Sequence, residues 1–227
     1  MRITVLTGAG ISAESGLATF RAVDGLWENH RIEDVATPQG FAADPALVHR
    51  FYNMRRATAA GARPNAAHHA LVDLARHHDL TLVTQNVDSL HEQAGSTDVI
   101  HMHGALTGAL CAACGHRWPA PLEMRPDDPC PACARPATRP DIVWFGETPF
   151  HLDRIWDALD RTELFAAIGT SGNVHPAAGF ARHARRRGAE CLELNLENSA
   201  NARDFHRRIV GPASRTVPEW VASLKRG

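Results

Sequence analysis

Residues 3–16 read ITVLTGAGISAESG, and this stretch decides the fold. Its apolar, β-branched start at residues 3–7 is typical of a buried strand, and residues 8–13 follow directly. They fit the pattern G-x-G-x-x-A, in which glycines make a tight turn that leaves room for a pyrophosphate. The turn is expected to open onto a helix whose N-terminal N–H groups attract anions. This order predicts a Rossmann-type nucleotide-binding domain.

The residues after this turn argue against a dehydrogenase. In a hydride-transfer enzyme, a second strand would end about 20 residues further on in an acidic residue that binds the ribose. Here the chain instead enters an irregular, loop-like segment at residues 22–45, which contains Trp27. Glu28 and Glu33 lie in that segment, but no predicted strand carries them. We therefore expect the nucleotide to serve a different chemistry.

Strand-like and helix-like segments alternate through much of the chain. Strands are expected at residues 3–7, 80–84, 142–145, 164–168 and 191–196. Helices are expected at residues 45–60, 64–78, 152–160 and 176–187. Apolar strands separated by helices indicate an α/β fold, with a mostly parallel sheet covered by helices on both faces. The expected Rossmann-type domain comprises residues 1–109 and 140–227, with an insert at about 22–60, and a small module is expected at 110–139.

Composition and charge are those of an ordinary globular domain. The 227 residues are 44% hydrophobic and 22% charged, which suits one medium domain with a buried core. Because 24 Lys and Arg stand against 25 Asp and Glu, the formal net charge is -1. No basic field therefore favours nucleic acid, and no acidic excess favours disorder. No apolar run is long enough to cross a bilayer and no signal-peptide pattern is present, so a cytoplasmic protein is expected. We also expect a monomer.

Four of the five cysteines form two pairs with metal-ligand spacing. Cys111 and Cys114 make one C-x-x-C pair, Cys130 and Cys133 make the other, and fifteen residues separate the pairs. Two such knuckles can offer four thiolates to one tetrahedral zinc ion at about 2.3 Å. Four sulfur ligands leave no open coordination position, so the zinc is expected to be structural. A redox pair is a poorer interpretation, and the odd Cys191 is expected in the core.

Polar side chains cluster after a second strand and in a later segment. Residues 84–88 read TQNVD at the end of the strand expected at 80–84, and residues 101–104 read HMHG. Open α/β sheets bind ligands at the carboxyl ends of their strands. A histidine there can act as a general base near neutral pH, but spacing alone does not choose between His101 and His103. His49 and His183, in contrast, are expected on solvated helix faces.

Taken together, these motifs resemble those of the sirtuins, and among them the bacterial CobB-type, class III deacylases. The match runs in the sirtuin order over nearly the whole chain. Its motifs are GAGISAESG at 8–16, Thr19-Phe20-Arg21, Gln85-Asn86-Val87-Asp88, His103-Gly104, the two cysteine pairs, Val143-Trp144-Phe145-Gly146-Glu147, Gly169-Thr170-Ser171 and Asn195-Leu196-Glu197. The resemblance implies a Rossmann-type domain with a small zinc module, which agrees with the organisation expected from the residues.

The resemblance also implies a chemistry. NAD is consumed as a co-substrate, nicotinamide is released, and the acyl group of a substrate lysine is transferred to ADP-ribose. His103 matches the general base, and Asn86 and Asp88 match catalytic residues beside the ribose and nicotinamide. The further residues expected at NAD are Gly8, Ala9, Gly10, Ser12, Glu14, Thr19, Phe20, Arg21, Trp27, Gln85, Val87, Gly169, Thr170, Ser171, Asn195, Leu196, Glu197 and Ala213. An extended edge for the acylated-lysine peptide is expected at Val143, Trp144, Phe145 and Gly146.

One helix carries a clue to the acyl group. Tyr52 and Arg55 are three residues apart in the helix expected at 45–60, so they share a helix face. An arginine fork can bind a carboxylate with two parallel hydrogen bonds, and a phenol can donate a third. On the residues alone, a solvated arginine beside a half-buried tyrosine is the simpler interpretation. The sirtuin resemblance favours a carboxylate site for succinyl- or malonyl-lysine that also accepts acetyl-lysine.

Three other functions are open on the sequence. Mono-ADP-ribosyl transfer from the same NAD pocket would release nicotinamide without loss of an acyl group. A non-catalytic NAD-binding module would be expected to lack His103 or Asn86, and both are present. Nucleic-acid binding through Arg185, Arg186 and Arg187 is a weak alternative, because arginines at a helix C-terminus are favourable partners of its dipole.

Overall fold

Eleven strands and eight α-helices are assigned over the described part of the chain. The structure, a computed structural model, describes residues 1–19, the backbone of 26–27, and residues 30–225. The strands are β1 (Arg2–Thr7), β2 (Leu26–Trp27), β3 (His30–Arg31), β4 (Asp79–Thr84), β5 (Val99–His101), β6 (Gly104–Cys111), β7 (Arg117–Pro119), β8 (Thr138–Ile142), β9 (Leu164–Ile168), β10 (Glu190–Asn195) and β11 (Arg207–Val210). The helices are α1 (Ile32–Val35), α2 (Pro38–Ala43), α3 (Pro45–Gly61), α4 (Ala66–Ala75), α5 (Leu90–Ala94), α6 (Leu152–Arg161), α7 (Phe180–Arg186) and α8 (Ala213–Leu224).

A six-stranded parallel sheet forms the centre of the molecule, in the order β11-β10-β9-β1-β4-β5. Its side chains alternate between two buried faces, as a strand period of two requires. Ile3 and Val5 join the core beneath α4 and α8, whereas Leu6 joins the core beneath α6 and α7. The predicted α/β fold with helices on both faces is confirmed. Within the described ranges, no helix is long and apolar enough to span a membrane.

The glycine turn after β1 does not open onto an α-helix, and that expectation was wrong. Two short 3₁₀ turns, Ala9–Ile11 and Ala13–Ser15, follow β1 instead. The second ends at Gly16, whose φ of 86° is left-handed. From α4, the Asn65 side-chain amide donates to the Ile11 carbonyl at 2.8 Å and to the Ser15 hydroxyl at 3.0 Å. Contacts to the rest of the domain therefore hold this loop in shape.

Two further expectations about secondary structure were wrong. The segment at 22–45, expected to be a loop, contains α1 and α2, and the Thr37 hydroxyl caps α2 by accepting from the Gly40 N–H at 2.9 Å. The strand expected at 142–145 is instead β8, which ends at Ile142. Beyond it the chain turns, because the Glu147 N–H donates to the Trp144 carbonyl at 3.0 Å and Gly146 has a φ of 90°.

Helix α3 links the central domain to the small module. Its buried side includes Phe51 and Tyr52, which pack with Leu106, Ile142 and Trp144 of the small module and the turn after it. His49, expected on a solvated face, is buried and its Nε2 lies 3.0 Å from the Thr138 carbonyl of β8. Because a carbonyl oxygen only accepts hydrogen bonds, this ring nitrogen is the donor.

A second contact joins α3 to the small module. Arg56 is buried and donates from Nε to the Leu106 carbonyl at 2.8 Å. Asn53 pairs with the backbone of Met124, donating to its carbonyl at 2.9 Å and accepting from its N–H at 3.0 Å. One side of α3 is thus attached to the module through backbone groups, independently of Tyr52 and Arg55.

The small module is an antiparallel sheet, in the order β7-β6-β8, that extends over residues 104–142 and so beyond the expected 110–139. Its four cysteine sulfurs lie within 4.8 Å of one another. The Cys111–Cys133 and Cys114–Cys130 Sγ distances are 3.7 and 3.8 Å. A tetrahedron with metal–sulfur bonds of about 2.3 Å has edges of about 3.8 Å, so the thiols are spaced for one zinc ion.

The two knuckles share one backbone pattern. In each, the carbonyl of the first cysteine accepts from the N–H four residues further on, at Gly115 (2.9 Å) and at Ala134 (2.8 Å). In each, the N–H of the first cysteine donates to the carbonyl five residues further on. Four sulfur ligands would leave a bound zinc ion no open position, which fits a structural role.

Two glycine loops contact each other backbone to backbone at the carboxyl ends of β1 and β9. The Gly8 N–H donates to the Ile168 carbonyl and the Gly10 N–H to the Gly169 carbonyl, both at 2.9 Å. A Cβ atom on Gly10 would lie 2.6 Å from the Gly169 Cα, and one on Gly169 would lie 2.5 Å from the Ile11 nitrogen. Gly169 also has a left-handed φ of 63°. A side chain is therefore excluded at Gly10 and at Gly169.

Gly10→Ala is expected to lower the free energy of unfolding by about 1–3 kcal/mol, because the added methyl group forces the two loops apart. Gly61→Ala, at the end of α3, is the matched control, since nothing lies within 4 Å of its added Cβ. The control is expected to be neutral or stabilising by up to about 1 kcal/mol. Urea denaturation measures both variants. Equal midpoints for Gly10→Ala and the unmodified chain would show that the loops need no such contact.

Cys111→Ser is expected to abolish zinc binding and to cause unfolding or aggregation, because metal binding supplies folding free energy to a module with so small a core. Metal analysis of the purified chain and thermal melts with and without a chelator measure this. Cys191→Ala is the control, since Cys191 lies in the core at β10 and belongs to neither knuckle. A metal-free chain with an unchanged melting temperature would contradict the structural role.

Candidate functional site

One large cavity opens at the carboxyl ends of β1, β4, β9 and β10. Its volume is about 1100 Å³, above the roughly 300–1,000 Å³ typical of a site for one small ligand. Most of the residues predicted from the sequence line it. They are Gly8, Ala9, Gly10, Ser12, Thr19, Tyr52, Arg55, Gln85, Asn86, Val87, Asp88, His103, Val143, Trp144, Phe145, Gly146, Gly169, Thr170, Ser171, Asn195, Leu196, Glu197 and Ala213.

Glu14 is the one predicted NAD residue with a described side chain that does not line the cavity. The Glu14 carboxylate accepts from the Ser214 N–H at 2.9 Å and from its hydroxyl at 2.7 Å, so it ties the glycine loop to the first turn of α8. Phe20 and Arg21 lie outside the described residues, and only the backbone of Trp27, in β2, is described.

A buried polar network joins the glycine loop to the loop after β4. Asn86 donates from Nδ2 to the Gly8 carbonyl and to Ser12 Oγ, both at 3.2 Å. The Ser12 hydroxyl in turn donates to Asp88 Oδ2 at 3.1 Å, and the Leu90 N–H donates to Asp88 Oδ1 at 3.0 Å. Burial raises the pKa of Asp88, although these two hydrogen bonds oppose the rise. The network holds the side chains of Asn86 and Asp88 in place at the cavity wall.

His103 lies at the cavity wall as a neutral base. Its Nδ1 lies 3.2 Å from the Gln85 carbonyl, which only accepts, so Nδ1 carries the hydrogen. Nε2 then holds the lone pair of the neutral ring. Burial lowers the pKa of His103, although the hydrogen bond to Gln85 opposes this. The imidazole is therefore available to accept a proton at neutral pH.

His101, two residues earlier, lies outside the cavity lining and is paired with a carboxylate. Its Nε2 lies 2.7 Å from Glu92 Oε1 and its Nδ1 lies 3.2 Å from the Asn86 carbonyl. Both partners are acceptors, so both ring nitrogens donate. Burial lowers the pKa of His101, but the Glu92 carboxylate outweighs burial and the pKa is raised overall. The geometry therefore favours His103, and not His101, as the general base.

The loops after β9 and β10 form another part of the wall. Asn195, at the end of β10, donates from Nδ2 to the Thr170 carbonyl at 2.8 Å and accepts the Leu196 N–H at 3.0 Å. Its amide thus joins the two loops. Ser171 and Glu197 follow on these same loops and line the cavity.

Tyr52 and Arg55 reach the cavity from α3. Tyr52 is fully buried, and its hydroxyl oxygen accepts from the Trp144 Nε1–H at 3.0 Å. Burial raises the pKa of Tyr52 far above its usual value, so the phenol stays protonated. The Arg55 guanidinium lies 5.8 Å from the centroid of the Phe51 ring. A neutral hydroxyl and a cation are thus placed one helical turn apart.

No strand is assigned to residues 143–146, and a turn begins at Phe145, so the extended edge expected from the sequence stays a prediction. The first three N–H groups of this segment are donated within the chain, each at 2.9 Å: from Val143 to the His103 carbonyl, from Trp144 to Glu147 Oε2, and from Phe145 to the Ala36 carbonyl. A peptide on this segment would have to pair with its carbonyl groups or with residues beyond Phe145.

Sequence reasoning missed several residues of this site. Arg139 was not predicted; it forms a bidentate ion pair of 2.7 and 3.0 Å with Glu147, the last residue of the motif at 143–147, beside Trp144. No spacing rule marks this pair, because Arg139 falls in the Pro-rich segment that reads only as a zinc module. Thr58 and Ala59 also line the cavity. They are three and four residues after Arg55, so the helical period could have found them.

Comparison with known proteins agrees with this geometry. Residues 8–176 match the Sir2 family model. An NAD-dependent protein deacylase of Caulobacter vibrioides is 55% identical over 230 residues, which cover 99% of this chain and 97% of that protein. An NAD-dependent protein deacylase of Escherichia coli K12 is 53% identical over 231 residues, with 100% and 83% covered.

Solved structures give the same result. A Sir2 homologue in complex with NAD has a TM-score of 0.91 at 38% identity, over 99% of this chain and 89% of that one. Sir2Af2 bound to a myristoylated histone peptide has a TM-score of 0.78 at 28% identity, over 99% and 91%. The resemblance to sirtuins is confirmed: the chain belongs to the Sir2 family.

Proposed function

We propose that this chain is an NAD-dependent protein-lysine deacylase that removes acetyl groups and the carboxylated acyl groups succinyl and malonyl. The main support is that the glycine loop, the neutral base His103 and the Tyr52–Arg55 pair all line one cavity. Relatives more than half identical to it are NAD-dependent protein deacylases. The peptide bound by Sir2Af2 is an acylated histone segment, which supports acyl-lysine proteins as substrates.

The residues of the cavity fit NAD. Gly8 and Gly10 present backbone without side chains to the cavity, as the approach of a pyrophosphate requires. The cavity is larger than one small ligand needs, so a dinucleotide and an acyl-lysine chain have room together. When bound, NAD supplies a nicotinamide–ribose bond whose cleavage makes the ribose an acceptor for the acyl group. The residues on the β9 and β10 loops, with Ala213, would hold its adenosine end.

Asn86 and Asp88 suit a reaction that develops positive charge on a sugar. Because Asn86 uses Nδ2 as donor toward Gly8 and Ser12, its amide oxygen is the group left for a ligand. The Asp88 carboxylate is fixed by Ser12 and Leu90, and its charge lies next to this amide. Fixed acceptors of this kind stabilise a developing cation without reorganising.

His103 takes a proton in this scheme. Nδ1 is committed to the Gln85 carbonyl, so Nε2 is the atom that accepts a proton from a ribose hydroxyl. A lowered pKa keeps this nitrogen unprotonated at neutral pH. Water then completes the release of the acylated ADP-ribose and the free lysine.

Tyr52 and Arg55 would bind the far end of a carboxylated acyl chain. The arginine can form two parallel hydrogen bonds to the carboxylate, and the protonated phenol can donate a third. Acetyl-lysine carries no such carboxylate and would leave this part of the cavity to water. We also propose that the protein works in the cytoplasm, because the four zinc thiols must stay reduced.

His103→Gln is expected to lower kcat/KM at least about 100-fold, the usual contribution of a general base. In the unmodified enzyme, kcat/KM is expected to fall as pH falls and His103 becomes protonated. Because burial lowers the pKa of His103, the midpoint is expected below the ordinary 6.5. Steady-state rates against pH measure both effects. His183→Asn is the control, because His183 of α7 pairs with Asp160 of α6 at the exposed surface. This variant is expected to keep the pH profile of the unmodified enzyme.

Arg55→Met is expected to lower kcat/KM for a succinyl-lysine peptide about 10- to 100-fold more than for the matched acetyl-lysine peptide, since charged hydrogen bonds are lost only with the carboxylate. Arg50→Met is the matched control, because Arg50 is exposed on the same helix and does not line the cavity. Equal losses on both peptides would remove Arg55 from carboxylate recognition.

A further inference from the structure

Trp144 is the hydrogen-bond partner of the Tyr52 hydroxyl. Its side chain is 2% exposed, and its Nε1 lies 3.0 Å from the Tyr52 oxygen. An indole nitrogen is a donor only, so the hydrogen bond runs from Trp144 to Tyr52. The phenol hydrogen must then point away from the indole. In the described part of the chain, no protein acceptor takes that hydrogen.

The Trp144 ring is itself held on several sides. The Arg139 guanidinium stacks on it at 3.5 Å from the ring centroid, and the Phe41 ring packs at 5.1 Å. Arg139 is fixed in turn by its two bonds to Glu147 and by a 2.9 Å bond to the Ile142 carbonyl. Glu147 also accepts the Trp144 backbone N–H. The indole therefore has little freedom to turn its N–H elsewhere.

We propose that Trp144 is a specificity-determining positioning residue: its indole N–H fixes the Tyr52 hydroxyl so that the phenol hydrogen is presented to the carboxylate of a succinyl or malonyl group. This inference rests on the proposed function, because it deepens the role given there to Tyr52 and Arg55. Without the indole N–H, the phenol hydrogen can also point toward the space that the N–H filled. This second orientation competes with the one in which the phenol donates to the carboxylate. Acetyl-lysine does not use this donation.

The test is a double-mutant cycle with Trp144→Phe and Tyr52→Phe. Trp144→Phe keeps an aromatic ring for Arg139 but removes the N–H donor. It is expected to lower the ratio of succinyl to acetyl kcat/KM by about tenfold, mainly through KM for the succinyl peptide. In the Tyr52→Phe background the same change is expected to have no further effect on the ratio. Trp156→Phe, which packs on Phe180 and His183 from α6, is the matched control.

Each other outcome overturns a distinct claim. An equal fall in the ratio in both backgrounds would show that Trp144 does not act through the hydroxyl. If Tyr52→Phe lowers the ratio of succinyl to acetyl kcat/KM and Trp144→Phe does not, this inference is wrong, but the carboxylate site is supported. If neither Tyr52→Phe nor Arg55→Met changes the ratio, the carboxylate site itself fails, and the inference with it.

A second substitution covers the case in which Trp144→Phe does not fold. Replacement of Trp144 by 3-benzothienylalanine keeps the shape of both rings and exchanges the N–H for sulfur, so the stack on Arg139 is retained. Thermal melts report whether the fold is intact. The same tenfold fall in the ratio is expected. An unchanged ratio in this folded variant would contradict the positioning role.

Discussion

The close approach of two glycine loops is the constraint on which the site depends. Gly10 and Gly169 come so near that neither position has room for a Cβ atom. Their contact brings the carboxyl ends of β1 and β9 together and leaves the cavity between these ends and the α3 segment. Glycines after a strand are usually explained by the ligand's phosphates. Here the packing of protein against protein requires them as well.

Chemistry within the cavity follows from the neighbours of each polar group. His101 and His103 are two residues apart, yet the Glu92 carboxylate raises the pKa of His101 and burial lowers the pKa of His103. At another part of the wall, a buried phenol stays protonated beside an arginine. The same cavity thus offers a proton acceptor where a ribose would lie and hydrogen-bond donors where a carboxylate would lie.

Local patterns in the sequence predict the sheet, α3 and the cysteine knuckles, because strand and helix periods and metal-ligand spacing are local properties. Local patterns predict less where contacts between residues distant in the sequence determine the structure. The helix expected after Gly10 is replaced by 3₁₀ turns that Asn65 holds from α4. The choice between His101 and His103 needs the position of Glu92. The bond between Tyr52 and Trp144 joins residues 92 positions apart, which no spacing rule reveals.

An NAD-dependent deacylase must couple the cleavage of NAD to the transfer of the acyl group. The most direct test of this coupling is a single turnover with NAD and one succinyl-lysine peptide, in which mass spectrometry counts the products. We expect equal amounts of nicotinamide, succinylated ADP-ribose and free-lysine peptide, with one water consumed in each turnover. Nicotinamide released while the peptide keeps its succinyl group would contradict this coupling and would indicate ADP-ribosyl transfer.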